Sequence, residues 1–328
     1  MRTLKKIKVY PLAFESFGVR SMCTYVETPD VKILLDAGVA LGPKRFGLPP
    51  HPKEYAALKE RREIIVKAAE KADVVTISHY HFDHHTPSFT DWANLWSSPE
   101  IAAKIYKGKM VFAKSFKSKI NFSQRRRGWL FRKKGGKLAS RIEYADSRSF
   151  KFGRTTLRFS SPVFHGKEGS ELGWIIMTMI EYEGEKVLFA PDVQGPICDA
   201  TLRMMLNEPP VLAIIGGPPL YLTDFRVSQE MMEKALKSLI VLSKHIPIIV
   251  LDHHLLREKS WKERLQPILN ASSNAGHMIL TAAEYAGEKN KLLEASRKSL
   301  FETDPPSREF IRWTRIPLRR RKLVPPPI

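Results

Sequence analysis

Cysteine is scarce in this chain of 328 residues: only Cys23 and Cys198 occur, so neither a disulfide framework nor a cysteine-ligated zinc site can be built. Such sparse thiol usage fits a reducing interior, and a cytoplasmic location is the expectation. Long apolar runs are missing too. No window reaches the roughly 18 uncharged apolar residues that a membrane helix needs, and the opening Met-Arg-Thr-Leu-Lys-Lys-Ile-Lys carries charge without an apolar core of signal length. No membrane partner is expected. Acidic residues are the third shortage, 34 Asp and Glu against 54 Lys and Arg, for a formal charge of +20. A field of that sign attracts phosphates, nucleic acid or anionic surfaces, although a thermophilic or generally basic proteome produces the same balance. An apolar share of 43% allows a substantial core and argues against disorder, and no internal repeat is evident.

What is present is chemically pointed. His79, His81, Asp83 and His84 stand together in Val-Val-Thr-Ile-Ser-His-Tyr-His-Phe-Asp-His-His, directly after the apolar run Val74 to Ile77. That arrangement puts imidazoles and a carboxylate on a tight turn at the end of a buried strand. Histidines two apart point to the same side of an extended backbone, so His79 and His81 can grip one ion. The following turn swings Asp83 and His84 toward a second position. The pattern predicts a metal site with room for two ions.

The chain before and after that motif reads as alternating strand and helix signals. Lys6 to Ala13, Val19 to Glu27 and Val31 to Asp36 read as strands, and Glu54 to Ala72 as a helix. Asp91 to Ser97 and Pro99 to Lys107 look helical. Lys114 to Arg141 is strongly basic, with Phe116, Phe122, Trp129 and Phe131 interleaved among the cations. It is read as part of an insertion over about 100–141. Cations for phosphates and aromatic faces for bases are what an RNA or DNA surface uses, while the alternative is an amphipathic helix that packs its aromatics beneath a solvated basic face. Strand signals return from Ile142, with short runs at 149–152, 155–160, 173–182 and 186–190, then Val211 to Ile215 and Ile246 to Leu251. Helical candidates lie at 203–206, 228–243, 261–271 and 281–293. One domain over 1–300 is expected, followed by a basic, proline-rich tail over 301–328 that is mobile or extended.

The motif, the strand-rich opening and the later metal-competent residues resemble the metallo-β-lactamase superfamily of hydrolases, from about Lys6 to about Ala283. Within it the chain is most similar to an uncharacterised archaeal branch known as predicted metal-dependent hydrolases. The resemblance implies an α/β fold (α+β in some schemes), an αββα four-layer sandwich with two central sheets. It also implies five ligand-bearing loops, and a residue is available for each in order. Asp36, after Val-Lys-Ile-Leu-Leu, matches the aspartate that braces the histidine loop without touching metal. His79, His81, Asp83 and His84 form the second motif. His165 in Ser-Pro-Val-Phe-His-Gly would complete a three-histidine site with His79 and His81. Asp192 in Ala-Pro-Asp-Val would be the bridging carboxylate. In Val-Leu-Asp-His-His both His253 and His254 fit the last ligand, with His253 favoured because it is nearer the strand. His85, Lys167 and Arg257 lie beside these loops and are candidates for substrate contact.

Three neutral imidazoles leave zinc a net positive charge and an open position, so a bound water can ionise near neutral pH. The expected cofactor is Zn2+, two ions, with manganese or iron also compatible with these ligands. Asp83 and Asp192 are the expected catalytic carboxylates: Asp192 would set the spacing of the ions, and Asp83 would orient the hydroxide and carry a proton. Redox members of the superfamily usually carry glutamate where this chain has His81. Nucleases with an inserted cap need far more than the 61 positions between Asp192 and His253. The leading expectation is a metal-dependent hydrolase of an anionic phosphodiester, nucleic acid or a phosphorylated metabolite. A carboxylic ester, lactone or thioester hydrolase is the alternative on the same ligands, and a nucleic-acid-binding protein with a structural or vestigial metal site is the alternative of another class.

Overall fold

In the structure, a computed structural model describing residues 3–328, two sheets face each other. The first holds β1 (Lys8–Phe14), β2 (Met22–Glu27), β3 (Lys32–Leu35), β4 (Val74–Ile77), β5 (Met110–Ala113) and β6 (Arg141–Tyr144) in sequence order. Strands β1 to β3 form an antiparallel meander, and β3 to β6 run parallel. The second holds β7 (Ser149–Phe152), β8 (Thr155–Phe159), β11 (Thr178–Tyr182), β12 (Glu185–Ala190), β13 (Leu212–Gly216), β14 (Ile248–Asp252) and β15 (Met278–Leu280), parallel from β12 to β15. A two-stranded ribbon, β9 (Val163–Phe164) with β10 (Trp174–Ile175), lies apart from both.

The parallel strands are apolar on both faces, as strands covered on both sides must be. In β13 and β14, Leu212, Ile214, Ile248 and Val250 enter the cluster between the sheets, where Val26, Ile33, Leu35 and Phe112 meet them. The alternate residues Ala213, Ile215, Ile249 and Leu251 face outward to α4 (Asp199–Asn207), α5 (Gln229–His245) and α6 (Trp261–Asn274). Likewise α1 (Pro52–Lys71), α2 (Pro99–Tyr106) and α3 (Phe122–Lys133) cover the outer face of the first sheet. Four layers result, helix, sheet, sheet, helix, as expected.

Four expectations change. Met110 to Ala113 is a core strand, so the basic stretch after it is the right place for a crossover: α3 connects the parallel neighbours β5 and β6. Asp91 to Ser97 turns back on itself through an Asp91–Ser97 bridge instead of forming a helix. The predicted helix over 281–293 shrinks to α7 (Ala282–Tyr285). Residues 301–328 are not an extended tail either. After α8 (Arg297–Thr303) come α9 (Arg308–Arg315) and α10 (Leu318–Arg321), and Phe310 and Trp313 of α9 pack on Tyr55 in the outer cluster of the first sheet.

Candidate metal centre

Strands that are apolar throughout can carry polar chemistry only at their ends, and the parallel strands of both sheets present their C-terminal ends at the same place. Asp36 directly follows β3, Asp192 stands two residues after β12, and His253 directly follows β14. All three take left-handed backbone conformations, with φ of 48°, 49° and 69°. The chain thus reverses immediately and each side chain is thrown across the strand ends. After β4 the turn is closed by His84 and His85, whose backbone N–H groups donate to His81 O at 3.0 and 3.2 Å. Gly38 lets the loop after β3 reach that turn: a Cβ on it would lie 2.4 Å from the backbone nitrogens of His84 and His85.

The imidazoles converge on one carboxylate. Asp192 Oδ2 lies 3.2 Å from His79 Nε2, 3.2 Å from His84 Nε2 and 2.9 Å from His165 Nε2. Its Oδ1 lies 3.0 Å from His253 Nε2 and 3.2 Å from His254 Nε2. Four groupings have all ligand atoms within 4.8 Å; one joins Asp36 with His79 and His84 behind the turn, and two that face each other join His79, His81 and His165 with Asp192, and Asp83 with His84 and His253. His254 joins Asp192 and His253 in a further grouping, so both histidines of the His253-His254 pair reach the centre. The side chain of Asp83 is 20% exposed and marks the open side.

Second-layer hydrogen bonds fix the tautomers. His84 Nδ1 donates to Asp36 Oδ2 at 2.8 Å, and His253 Nδ1 donates to Glu15 Oε2 at 2.7 Å. His79 Nδ1 donates to Ser78 Oγ at 3.0 Å, whose hydroxyl in turn donates to Asp36. With hydrogen on Nδ1, each ring turns the lone pair of Nε2 inward, the arrangement that outer carboxylates impose on metal-ligating histidines. The Nε2 atoms of His79, His84, His253 and His254, and Asp192 Oδ1, are buried without a hydrogen-bond partner. Buried polar atoms are rarely left so. A cation held by these atoms accounts for them, and a neutral nitrogen donor set with two carboxylates suits a divalent ion.

Burial, with the neighbouring imidazoles, keeps His79 far below the usual histidine range and His81 down at about 3. For His253 burial works in the same direction but is overruled by Glu15 and Asp192, which push it up to about 9. Burial would raise Asp192, yet His165, His84 and His253 hold it well below the ordinary carboxylate range.

The remaining candidates divide. Arg257, expected to reach substrate, is 3% exposed and committed elsewhere: its Nε and Nη2 donate to Glu15 Oε1 at 2.8 and 2.6 Å and its Nη1 to Tyr221 OH at 3.1 Å. His85 is buried behind the turn, against the Tyr80 and Phe82 rings, with Nδ1 donating to His81 O at 3.0 Å. Both are buried, although Arg257 also lines a cavity of ≈ 710 Å³ with Arg45 and Tyr221. Lys167 stays exposed and lines a cavity of ≈ 400 Å³ with Glu168, Arg203 and Lys234. Glu15 escaped the sequence reading. Its only signal is an acid placed among the apolar residues that end β1, a position in which a carboxylate must find partners.

No family model matches the chain. Curated relatives do. It is 45% identical over 294 residues to a UPF0282 protein of Methanopyrus kandleri, covering 90% of this chain and 99% of that one. It is 39% identical to a UPF0282 protein of Korarchaeum cryptofilum, covering 91% and 96%. Among solved structures, unliganded yeast PDE1 superposes with a TM-score of 0.50 at 9% identity, over 85% of this chain and 98% of that one. The metallo-β-lactamase fold protein YhfI of Bacillus subtilis superposes at 0.47 and 14% identity, over 84% and 96%. With relatives of this identity matched over nearly their whole length, the chain, a four-layer sandwich with histidine loops at its strand ends, belongs to the UPF0282 family.

Proposed function

We propose that the protein is a metal-dependent hydrolase acting on phosphodiesters through a pair of zinc-class ions. The observation that carries the reading is the Asp192 carboxylate with five imidazole nitrogens within 3.2 Å, four of them, on His79, His84, His253 and His254, buried without a hydrogen-bond partner. His79, His81 and His165 would hold one ion, Asp83, His84 and His253 the other, with Asp192 between them and His254 as an additional or alternative ligand. Ions of this class act as Lewis acids on a phosphoryl oxygen and make water acidic enough to attack near neutral pH.

The chain's own residues supply the rest. Burial would raise Asp83, but His84 and His253 keep it below the ordinary carboxylate range, so it stays ionised at the open side. In this reading it would accept the proton that the attacking water gives up as its oxygen bonds to phosphorus, and return it to the leaving oxygen as the ester bond breaks. Asp36 and Glu15 hold His84 and His253 in register throughout. The +20 charge and the acid-free stretch from Lys114 to Arg141 favour an anionic substrate over a neutral ester.

Elemental analysis, paired with hydrolysis of bis-p-nitrophenyl phosphate and p-nitrophenyl acetate, tests this in wild type and Asp192→Ala. Bound zinc-class ions and diester cleavage that vanishes in the variant are expected. Ester cleavage alone would move the assignment to carboxylic esters. A protein that binds no metal after metal-replete purification would overturn the catalytic reading.

A further inference from the structure

The crossover helix α3 has two unlike faces. Gln124, Gly128 and Phe131 are buried inward. That face supports the metal turn directly: Tyr80 N donates to Gln124 Oε1 at 3.2 Å, and Gly128 lies flat on the Tyr80 ring, where a Cβ would be 2.7 Å away. Tyr80 is the residue between His79 and His81. Arg127, at the side of the helix, donates from Nη1 to Tyr80 O at 3.4 Å and stacks 4.6 Å from the Phe82 ring centroid, within the field of Asp83.

The outer face carries Phe122, Arg125, Arg126, Trp129 and Lys133, spaced three and four apart so that they form one stripe. Phe122 is 81% exposed and Trp129 47% exposed. With Phe116, Lys117, Arg125 and Arg126 they line an open recess of ≈ 590 Å³. Single exposed aromatics need no explanation, but two on one stripe with uncompensated cations do. Among the described residues no acidic side chain pairs with Arg125, Arg126, Arg132 or Lys133, and none occurs between Lys114 and Arg141.

We infer that the outer face of α3 is a stacking platform for single-stranded nucleic acid, which leads the strand past Arg127 to the metal turn. This rests on the phosphodiesterase reading for its purpose, though not for its geometry. Phe122 offers its ring to unstacked bases, Trp129 offers the face opposite Lys133, whose Nζ lies 5.8 Å from the ring centroid, and Arg125 and Arg126 meet phosphates. A duplex keeps its base faces covered and has nothing to lay on these rings. Stacking and phosphate contact do not read the sugar, so oligo(U) and oligo(dT) are equivalent ligands.

The test is fluorescence anisotropy of labelled 12-mers on the full-length protein, held in chelator so that no cleavage intervenes. Oligo(U) and oligo(dT) are expected to bind within about ten-fold of each other and well ahead of a duplex of the same length. Phe122→Ala and Trp129→Ala each weaken binding by about 5- to 150-fold, whereas Trp129→Phe restores most of it. Removing the charges in Arg125→Gln/Arg126→Gln lowers the salt slope by about 1.4. Both aromatics stand on the surface, so an unchanged thermal midpoint certifies the variants as folded. Affinities unmoved by either aromatic substitution, or a duplex bound as tightly as a strand, overturn the platform. So does an acidic peptide that matches the oligonucleotides, which would make the face a protein-docking surface. If wild type binds strands as stated but cleaves no small diester, the hydrolase reading fails and the platform stands.

Discussion

Glu15→Gln should loosen the metal centre from behind. One carboxylate, 4% exposed, receives His253 Nδ1 at 2.7 Å and two nitrogens of Arg257 at 2.8 and 2.6 Å, and Arg257 is equally buried. Removing one partner of a buried ion pair costs about 3–5 kcal/mol, because the other charge is left unmatched. The amide keeps one accepting oxygen, and Glu294 is close enough to Arg257 to act on it electrostatically. The loss should therefore sit near the bottom of that range, about 3 kcal/mol. His253 meanwhile loses the carboxylate that fixes its tautomer. Changes of that kind weaken metal binding about 10- to 100-fold, or about 1.4–2.8 kcal/mol. Urea unfolding of the metal-free protein reads the first number, and chelator competition on the folded protein reads the second. A variant that unfolds at the wild-type urea concentration and holds metal with unchanged affinity would refute the support role of Glu15 altogether. A stability loss with unchanged affinity would confine that role to Arg257.

Gly38→Ala puts a methyl group into the backbone of the His84 turn, where nothing can yield like a flexible side chain. It should lower the bound metal per chain in elemental analysis, and full wild-type loading would count against the close approach. Metal affinity should rise with pH: the metal must displace the proton that Glu15 and Asp192 keep on His253 up to about 9. A chelator titration from pH 6 to 9.5 reads this, and a flat profile would argue that His253 is no ligand. Arg20, 2.6 Å from Glu294, helps overrule burial and hold that carboxyl down at about 2. Its stabilisation is complete above the ordinary carboxyl range near 4.5 and is lost as pH falls through about 2, a span worth about 3 kcal/mol. Glu294→Gln should flatten the urea stability profile over that interval, and an unaltered slope would assign the acid sensitivity to other carboxyls.

The legible parts of the sequence were those where one physical requirement acts alone. Val74 to Ile77 had to be a buried strand because it is apolar on both faces, and the histidine turn had to follow because polar groups cannot precede it inside the sheet. Asp36, Asp192 and the His253-His254 pair also stand at strand ends, but it is the resemblance to the superfamily's ligand loops that marked them. Legibility failed where two requirements overlapped. Met110 to Ala113 is four residues long and lies beside a basic stretch, so its strand signal was absorbed into the supposed insertion. In α9 the apolar pair Phe310 and Trp313 is flanked by Arg308, Arg312 and Arg315 within two turns, too short a helix for its period to outweigh the surrounding proline and arginine. Glu15 and Arg257 were opaque for another reason. They are 242 positions apart and meet only because the loop after β1 and the turn after β14 share the edge between the sheets. Alone, Arg257 reads as a substrate contact or a solvated charge, and Glu15 as an acid whose partner is not visible in the sequence.

That edge explains why the centre is costly and where the cost is met. A non-glycine residue in the left-handed region is strained by about 1–2 kcal/mol, and Asp36, Asp192 and His253 all bear it. Glycine would relieve each position but would remove the side chain that the strand end exists to present. Five inward imidazole nitrogens and a nearly inaccessible carboxylate add desolvation that no apolar packing returns. The strain is confined by neighbours that would otherwise be hard to justify. Ser78 N and Oγ both donate to Asp36, and Asp252, itself raised to about 6 by burial and by Glu15, accepts from the backbone of Ser16, His253 and Ala282. The first bonds tie the loop after β3 to the turn after β4, and the second tie the loop after β1 and the start of α7 to the end of β14. On the proposed reading, an ion would neutralise the charges and satisfy the lone pairs among loops already tied in these two groups, rather than fold the site.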